Sequence, residues 1–175
     1  FLENYLEKQT GRSKLTVKAS RDTLTLFRKY INEKLKDSIS KFQFADCNRA
    51  CVIGFLEYLK ERGNSPSTRN MRLSTLRSYL CYASGRHIAL ESIALEISRI
   101  PPFKEPKKVK ETLTEKSISA LLREPKHDMK GTRNTMIMIL LFDTAARLDE
   151  VLSLQLGDMN LTAEIPYIKV RGKGN

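Results

Sequence analysis

The sequence lacks any apolar run of membrane-spanning length, and it is poor in cysteine and in acidic residues. A transmembrane helix needs about 20 apolar residues in succession, so this absence argues against a membrane protein. Internal repeats and low-complexity tracts are also missing, as in an ordinary globular chain. The 31 Lys and Arg residues exceed the 20 Asp and Glu residues and give a formal charge of +11. This excess predicts a polyanionic partner.

The three cysteines do not form the pattern of a disulfide framework. Cys47 and Cys51 would share one face of a helix, where disulfide geometry is poor. We therefore expect reduced thiols in a protein of the cell interior. A zinc site that adds a histidine such as His87 is an alternative, but a second close pair of ligands is lacking. The sequence predicts no metal site.

Apolar residues recur at helical spacing in four segments of the first hundred residues. The segments are 14–36, 47–62, 66–85 and 87–97. We expect Asp46 to cap the second helix, and Ser65 followed by Pro66 to begin the third. The predicted buried stripes are Val17, Leu24, Phe27 and Ile31; Val52, Phe55, Leu56 and Leu59; Leu73, Leu76, Leu80 and Ala83; and Ile88, Ala89, Ile93 and Ile97.

Residues 99–111 interrupt the helical pattern with three prolines and five basic residues. Because proline fixes φ and lacks a donor, this segment is predicted to be an extended linker between two domains, 1–98 and 112–175. In the second domain, Thr114 is expected to cap a helix that ends near Arg123. Residues 132–145 contain the run MIMILLF, 136–142, which is apolar all round and predicts a helix buried on most sides.

The stretch from Arg62 to Leu90 contains five arginines and no carboxylate. Arginine binds phosphate oxygens in pairs, and small hydroxyl side chains allow close approach of a helix to a nucleic-acid groove. The alternative is a solvated basic face. The candidate nucleic-acid contacts, including the lysines of the linker, are Arg62, Arg69, Arg72, Ser74, Arg77, Ser78, Lys104, Lys107, Lys108 and Lys110.

Arg147 lies at a predicted break between two helices, after Ala145 and Ala146 and before Asp149 and Glu150. Carboxylates in a first turn suit the helix dipole, and the small alanines leave room for an anion beside the guanidinium. Arg147 is therefore a candidate anion-binding residue. The alternative is a structural arginine that ties two helices together through Glu150 or Asp158.

The chain closes on VRGKGN, residues 170–175, after an alternating stretch typical of a strand. Glycine and asparagine tolerate positive φ, so this segment predicts a tight hairpin turn. The return strand is missing from the sequence. We therefore expect the chain to be a piece of a longer protein, cut inside a domain.

Residues 144–159 resemble the T-G-x-R-x-x-E motif, leucine-rich helix and acidic pair of the tyrosine recombinase, or phage integrase, family. Within that family they are similar to the Xer-like and transposon-integrase branch. Ala145 stands where the family usually has glycine. The matching residues are Thr144, Arg147, Glu150, Leu152, Leu154, Asp158 and Met159.

The terminal segment resembles the G-K-G-N hairpin of the same family, so Lys173 falls on its catalytic lysine. The helical half, residues 67–83 included, is similar to its core-binding domain. The resemblance implies a mainly α protein: a SAM-like four-helix core-binding domain, a basic interdomain linker and a truncated α+β catalytic domain.

The resemblance implies a site-specific recombinase that breaks and rejoins double-stranded DNA through a 3′-phosphotyrosine intermediate, without a cofactor. Arg147 and Lys173 would be catalytic, and Glu150 would orient Arg147. The nucleophilic tyrosine would lie downstream, so the fragment would bind DNA without recombining it. The full protein would form a tetrameric synapse in the cytoplasm, at the nucleoid. Alternatives are a non-catalytic helical DNA-binding regulator and a basic RNA-binding protein.

Overall fold

The computed structural model describes residues 1–34, 42–43, 46–105 and 111–172. The chain divides into two compact units, Phe1–Lys107 and Lys108–Asn175. Its described residues are mainly α-helical, as predicted. Within its described residues, the first unit contains a π-helix, Leu2–Gln9, four α-helices and a 3₁₀ turn, Ile88–Leu90, that leads into the last of them. The α-helices are α1 (Lys14–Lys34), α2 (Arg49–Glu61), α3 (Pro66–Ser84) and α4 (Glu91–Ser98).

Local sequence rules predict the N-cap of α3 but not that of α2. Ser65 Oγ accepts a hydrogen bond from the backbone N–H of Thr68 at 3.2 Å, and Pro66 occupies the first turn, as predicted. For α2 the predicted cap, Asp46, is wrong. Asn48 caps this helix instead, because its side chain reaches the N–H of Cys51 at 3.0 Å.

A single hydrophobic cluster, to which α1, α2, α3 and α4 all contribute, forms the core of the first unit. The predicted stripes of α2 and α3 are buried in this cluster or beside it. The stripe predicted for residues 87–97 is wrong at Ile88, which is 85% exposed, and at Ala89, which is also exposed. The 3₁₀ turn has a different residue spacing from an α-helix, and it buries Leu90 instead.

The segment that follows α4 is bound to α3 up to Phe103. Asn70 bonds both backbone groups of Phe103: its Nδ2 donates to the carbonyl oxygen at 2.9 Å, and its Oδ1 accepts from the N–H at 2.8 Å. The guanidinium carbon of Arg69 lies 3.6 Å from the centre of the Phe103 ring. Ile100 is 4% exposed. The first part of the predicted linker therefore packs on the first unit, and residues 106–110 lie outside the described ranges.

The second unit contains three α-helices, a 3₁₀ turn at Leu156–Asp158 and a short antiparallel hairpin. Thr114 caps the first of these helices, as predicted, by accepting from the N–H of Ser117 at 3.2 Å. In the hairpin, Met159 pairs with Ile168 and Asn160 with Tyr167. The elements are α5 (Glu115–Arg123), α6 (Met129–Thr144), α7 (Leu148–Leu152), β1 (Met159–Asn160) and β2 (Tyr167–Ile168).

One expectation for this unit is wrong. Helix α6 is not buried on most sides: Met136 is 53% exposed and Phe142 58% exposed, because α5 and α7 cover only part of its surface. The strand near the end of the chain is paired on one edge, since β2 pairs with β1 over two residues, and the return strand expected after Asn175 stays a prediction.

Replacement of Asn70 by leucine tests the attachment of residues 100–103. The substitution keeps the size of the side chain but leaves the half-buried N–H and carbonyl of Phe103 without their partner. We expect Asn70→Leu to lower the free energy of unfolding by about 1–3 kcal/mol, measured by urea denaturation. The control Asn32→Leu makes the same change on an exposed position of α1 and should stay within about 0.5 kcal/mol. Equal losses in the two variants would contradict this role for Asn70.

Candidate functional site

The candidate site begins at the junction between α6 and α7. Thr144 Oγ1 donates to the carbonyl of Leu140 and accepts from the N–H of Ala146 at 3.2 Å, which closes the end of α6. Ala145 has φ 51°, the left-handed conformation. The chain then extends at Arg147, which occupies the N-cap position of α7. The predicted break at Arg147 is confirmed.

Glu150 orients Arg147 through two hydrogen bonds. Its Oε2 accepts from the backbone N–H of Arg147 at 2.9 Å, and its Oε1 accepts from Nη1 of the guanidinium at 2.7 Å. The backbone bond first, and then the guanidinium, lower the pKa of Glu150 below its ordinary value, so the carboxylate is ionised at neutral pH. The Arg147 side chain is 76% exposed. Its guanidinium is thus oriented and still accessible to an anion.

The alternative role for Arg147 is confirmed in its pairing with Glu150, but this pair does not join two helices. The pairing with Glu150 spans three residues at the start of one helix. Asp158 pairs with a different arginine: its Oδ1 lies 3.1 Å from Nη2 of Arg171.

Asp158 fastens the far strand of the hairpin to the 3₁₀ turn. Its carboxylate accepts from the backbone N–H of Gln155 at 3.0 Å and from Arg171, and its carbonyl accepts from the N–H of Lys169 at 2.8 Å. The bond from Gln155 is the largest cause of the lowered pKa of Asp158. Asp158 therefore binds the chain on both sides of Val170, at Lys169 through its carbonyl and at Arg171 through its carboxylate.

The chain that follows β2 passes beside the Glu150 carboxylate at Gly172. A Cβ placed on Gly172 would lie 3.9 Å from Oε1 of Glu150, the oxygen that binds the Arg147 guanidinium. The backbone that precedes Lys173 therefore approaches the Arg147–Glu150 pair. Lys173 itself lies outside the described residues.

Two of the predicted nucleic-acid contacts serve the interior of the first unit, and their assignment is corrected. Arg69 is 7% exposed, and its Nε donates to the carbonyl of Leu56 at 3.0 Å. Arg77 donates to the carbonyls of Ile97, at 3.3 Å, and Ile100. The last carbonyl groups of a helix have no hydrogen-bond donor within the helix. Arg77 supplies such donors at the end of α4.

The other predicted contacts differ in accessibility. Arg62 is exposed and donates to the hydroxyl of Tyr58. Arg72 is half-buried, and its Nε is buried without a hydrogen-bond partner among the described residues. Ser74 and Ser78 are exposed, and both line a shallow groove between α3 and α4. Of the linker lysines, Lys104 is exposed, whereas Lys107, Lys108 and Lys110 lie outside the described residues.

The cysteines are free thiols, as predicted. Burial raises the pKa of Cys47 to about 12 and that of Cys51 to about 11. Both side chains therefore stay protonated, which opposes thiolate chemistry and metal binding. In the ranges that the structure covers, no helix combines the length and apolar character required to cross a membrane.

Sequence reasoning missed Arg171 and Asn70. The Arg171–Asp158 pair spans 13 residues and forms only when the hairpin closes. The bonds between Asn70 and Phe103 span 33 residues. A residue pattern along one element carries no signal for either pair.

Ala145 is expected to carry backbone strain, because an L-residue in the left-handed region brings Cβ close to the following carbonyl oxygen. Glycine avoids this contact. We expect Ala145→Gly to raise the free energy of unfolding by up to about 1 kcal/mol, measured by thermal denaturation. The control Ala120→Gly lies on an exposed face of α5 and should lower it by about 1 kcal/mol. A loss of stability in both variants would show that the turn at Ala145 is unstrained.

Comparisons with known proteins cover both units. Residues 2–87 match the family described as phage integrase, N-terminal SAM-like domain. A protein named as an integrase/recombinase (y4rD) of Sinorhizobium fredii is 27% identical over 180 residues, which cover 99% of this chain and 64% of that protein. The tyrosine recombinase XerD of Oceanobacillus iheyensis is 26% identical over 98% of this chain and 55% of its own length.

The tyrosine recombinase XerC of Natranaerobius thermophilus is 29% identical over 100% of this chain and 55% of its own length. The chain thus spans between about half and two thirds of the length of these relatives, from 55% to 64%. The alignments include the residues around Arg147 as well as the helical first unit. These matches, together with the arginine motif around Arg147, support the assignment of the chain to the tyrosine recombinase family.

Proposed function

We propose that the chain is the DNA-binding region and the first part of the catalytic domain of a site-specific recombinase. The observation that carries this proposal is the Arg147 guanidinium, which Glu150 holds at 2.7 Å and which remains 76% exposed. The chain beyond β2 approaches the same carboxylate at Gly172. An oriented cation beside the chain that continues into Lys173 suits the chemistry of a phosphodiester.

In the proposed reaction, a tyrosine oxygen attacks the scissile phosphorus and the bond between phosphorus and the 5′ oxygen breaks. Arg147 binds the two non-bridging oxygens and stabilises the charge that develops on them. Lys173 donates a proton from its ammonium group to the departing 5′ oxygen. A 5′-hydroxyl from a partner duplex then attacks the 3′-phosphotyrosine and releases the tyrosine. These steps need no metal or other cofactor.

The nucleophile is assigned to a tyrosine outside these 175 residues. Five of the six tyrosines belong to the first unit, and Tyr167 lies in β2, six residues before Lys173. The 175 residues would then bind DNA without cleaving it. In the full-length protein, recombination would require a synapse of four subunits.

Residues 1–98 would form the core-binding domain, residues 99–111 the connector and residues 112–175 the beginning of the catalytic domain. Together they would clamp a DNA duplex. Support comes from the carboxylate-free stretch of the first unit and from the basic connector. The proposed DNA contacts exclude Arg69 and Arg77 and are Arg62, Arg72, Ser74, Ser78, Lys104, Lys107, Lys108 and Lys110.

The second candidate is a helical DNA-binding regulator without catalytic activity. The exposed basic residues of the first unit favour it equally, and Arg147 would then be a phosphate anchor only. The two candidates differ in one outcome, a covalent adduct between protein and DNA, which the regulator cannot form.

Binding of the 175-residue chain to a duplex of random sequence should weaken steeply with salt, because bound cations release counterions from DNA. The slope of log Kd against log salt is the measured quantity. Arg62→Gln should reduce this slope by about 1, the loss of one phosphate contact. Arg21→Gln removes the same charge from an exposed site on α1 and is the control. Undetectable or salt-insensitive binding, or equal changes in the two variants, would contradict the proposed surface.

Arg147→Ala should abolish DNA cleavage by the full-length protein without unfolding it. The substrate is a nicked duplex that carries the site selected by this protein from a random-sequence library, and the readout is the covalent adduct on a denaturing gel. We expect a loss of at least about 100-fold, because one donor to the developing charge is removed. The control Arg133→Ala removes the same charge from an exposed position of α6 and should cleave normally.

Unchanged cleavage by the Arg147→Ala variant would remove this residue from the active site. If the unaltered full-length protein forms no adduct on any selected site, the regulator is the correct function.

A further inference from the structure

The hairpin of the second unit receives little support from its own strands. Strands β1 and β2 pair over two residues each. Beyond Ile168, two bonds to Asp158 continue the attachment: the N–H of Lys169 donates to its carbonyl at 2.8 Å, and Nη2 of Arg171 donates to Oδ1 at 3.1 Å. The second of these bonds holds Arg171, which lies two residues before Lys173.

The Asp158 carboxylate is a firm anchor for this arginine. Its side chain is 9% exposed, against 72% for Arg171, and its other oxygen accepts from the N–H of Gln155 at 3.0 Å. The bond from Gln155 therefore fixes the carboxylate in the 3₁₀ turn independently of Arg171. An ion pair at the surface adds little stability, about 0–1 kcal/mol, but it restricts where the arginine backbone can lie.

The restricted backbone runs directly to the site. Gly172 follows Arg171, and a Cβ built on it would come within 3.9 Å of the Glu150 oxygen that binds Arg147. Two neighbouring residues of this segment thus lie next to two carboxylates: Arg171 binds Asp158, and Gly172 lies beside Glu150. Lysine has a long flexible side chain, so the position of its backbone decides how often its ammonium reaches a given atom.

We propose that Arg171 is a positioning residue for the reaction: its ion pair with Asp158 holds the chain that leads to Lys173, the residue that would protonate the leaving 5′ oxygen. This inference rests on the proposed function, since it assumes that Lys173 is the general acid. Arg171 does not touch the reacting atoms in this scheme. The competing role for Arg171, a direct contact with a DNA phosphate, would change binding rather than proton transfer.

Two versions of one substrate separate these roles. The nicked duplex described above is prepared with either an ordinary phosphodiester or a 5′-bridging phosphorothiolate, in which sulfur replaces the departing oxygen. A thiolate leaves without protonation, so cleavage of the phosphorothiolate does not need a general acid. The measured quantity is the ratio of the two cleavage rates within each variant of the full-length protein. This ratio is independent of the fraction of protein that is folded.

Arg171→Met should slow cleavage of the phosphodiester by about tenfold or more, whereas cleavage of the phosphorothiolate should change less than about twofold. Arg171→Lys keeps the charge and should recover part of the loss. Asp158→Asn should shift the ratio in the same direction as Arg171→Met. The control Arg133→Met removes one charge from exposed α6 and should leave both rates unchanged.

Equal slowing of both substrates by Arg171→Met would overturn the proposal and assign Arg171 to DNA binding. Unchanged rates on both would also overturn it. Lys173→Ala tests the underlying function separately: if it slows both substrates equally, or neither, Lys173 is not the general acid. A selective loss in Lys173→Ala together with a normal ratio in Arg171→Met would refute the positioning role alone.

Discussion

The chemistry proposed for the second unit depends on the carboxylate of Glu150. This group binds the backbone N–H and the guanidinium of Arg147 at once, which requires α7 to begin at Leu148. That start in turn requires α6 to end at Thr144 and the chain to reverse at Ala145, with φ 51°. A guanidinium on a four-torsion side chain has many conformations, and this sequence of local constraints selects one that faces solvent.

Two ion pairs in this unit share one design. In each, the carboxylate is nearly buried and also accepts from a backbone N–H, while the arginine is mostly exposed: 12% against 76% for Glu150 and Arg147, and 9% against 72% for Asp158 and Arg171. Pairs with one exposed partner contribute little to folding stability. Their value lies in orientation, because a fixed carboxylate limits where a mobile cation can go. The pair within α7 directs a side chain, and the pair across the hairpin directs a backbone.

The features predicted correctly from the sequence are those that depend on neighbouring residues. The caps at Ser65 and Thr114 and the helix break at Arg147 each follow from a few adjacent positions. The features that were missed join distant residues, such as Asn70 with Phe103 and Arg171 with Asp158. Helix α6 was predicted to be more buried than it is. An apolar pattern indicates which side chains favour burial, but it does not show whether neighbouring elements cover them.

The same limit applies to charge. The carboxylate-free stretch has five arginines, but Arg69 and Arg77 use their donors on backbone carbonyl groups of the first unit. Arg62 and Arg86 are exposed, and each guanidinium lies near a tyrosine ring, 5.2 Å and 4.7 Å from its centre. A cation committed to internal carbonyls still contributes to the long-range field that attracts a polyanion. The donors bound to these carbonyl groups are not available to a phosphate, however, so the formal charge overestimates the number of counterions that binding releases.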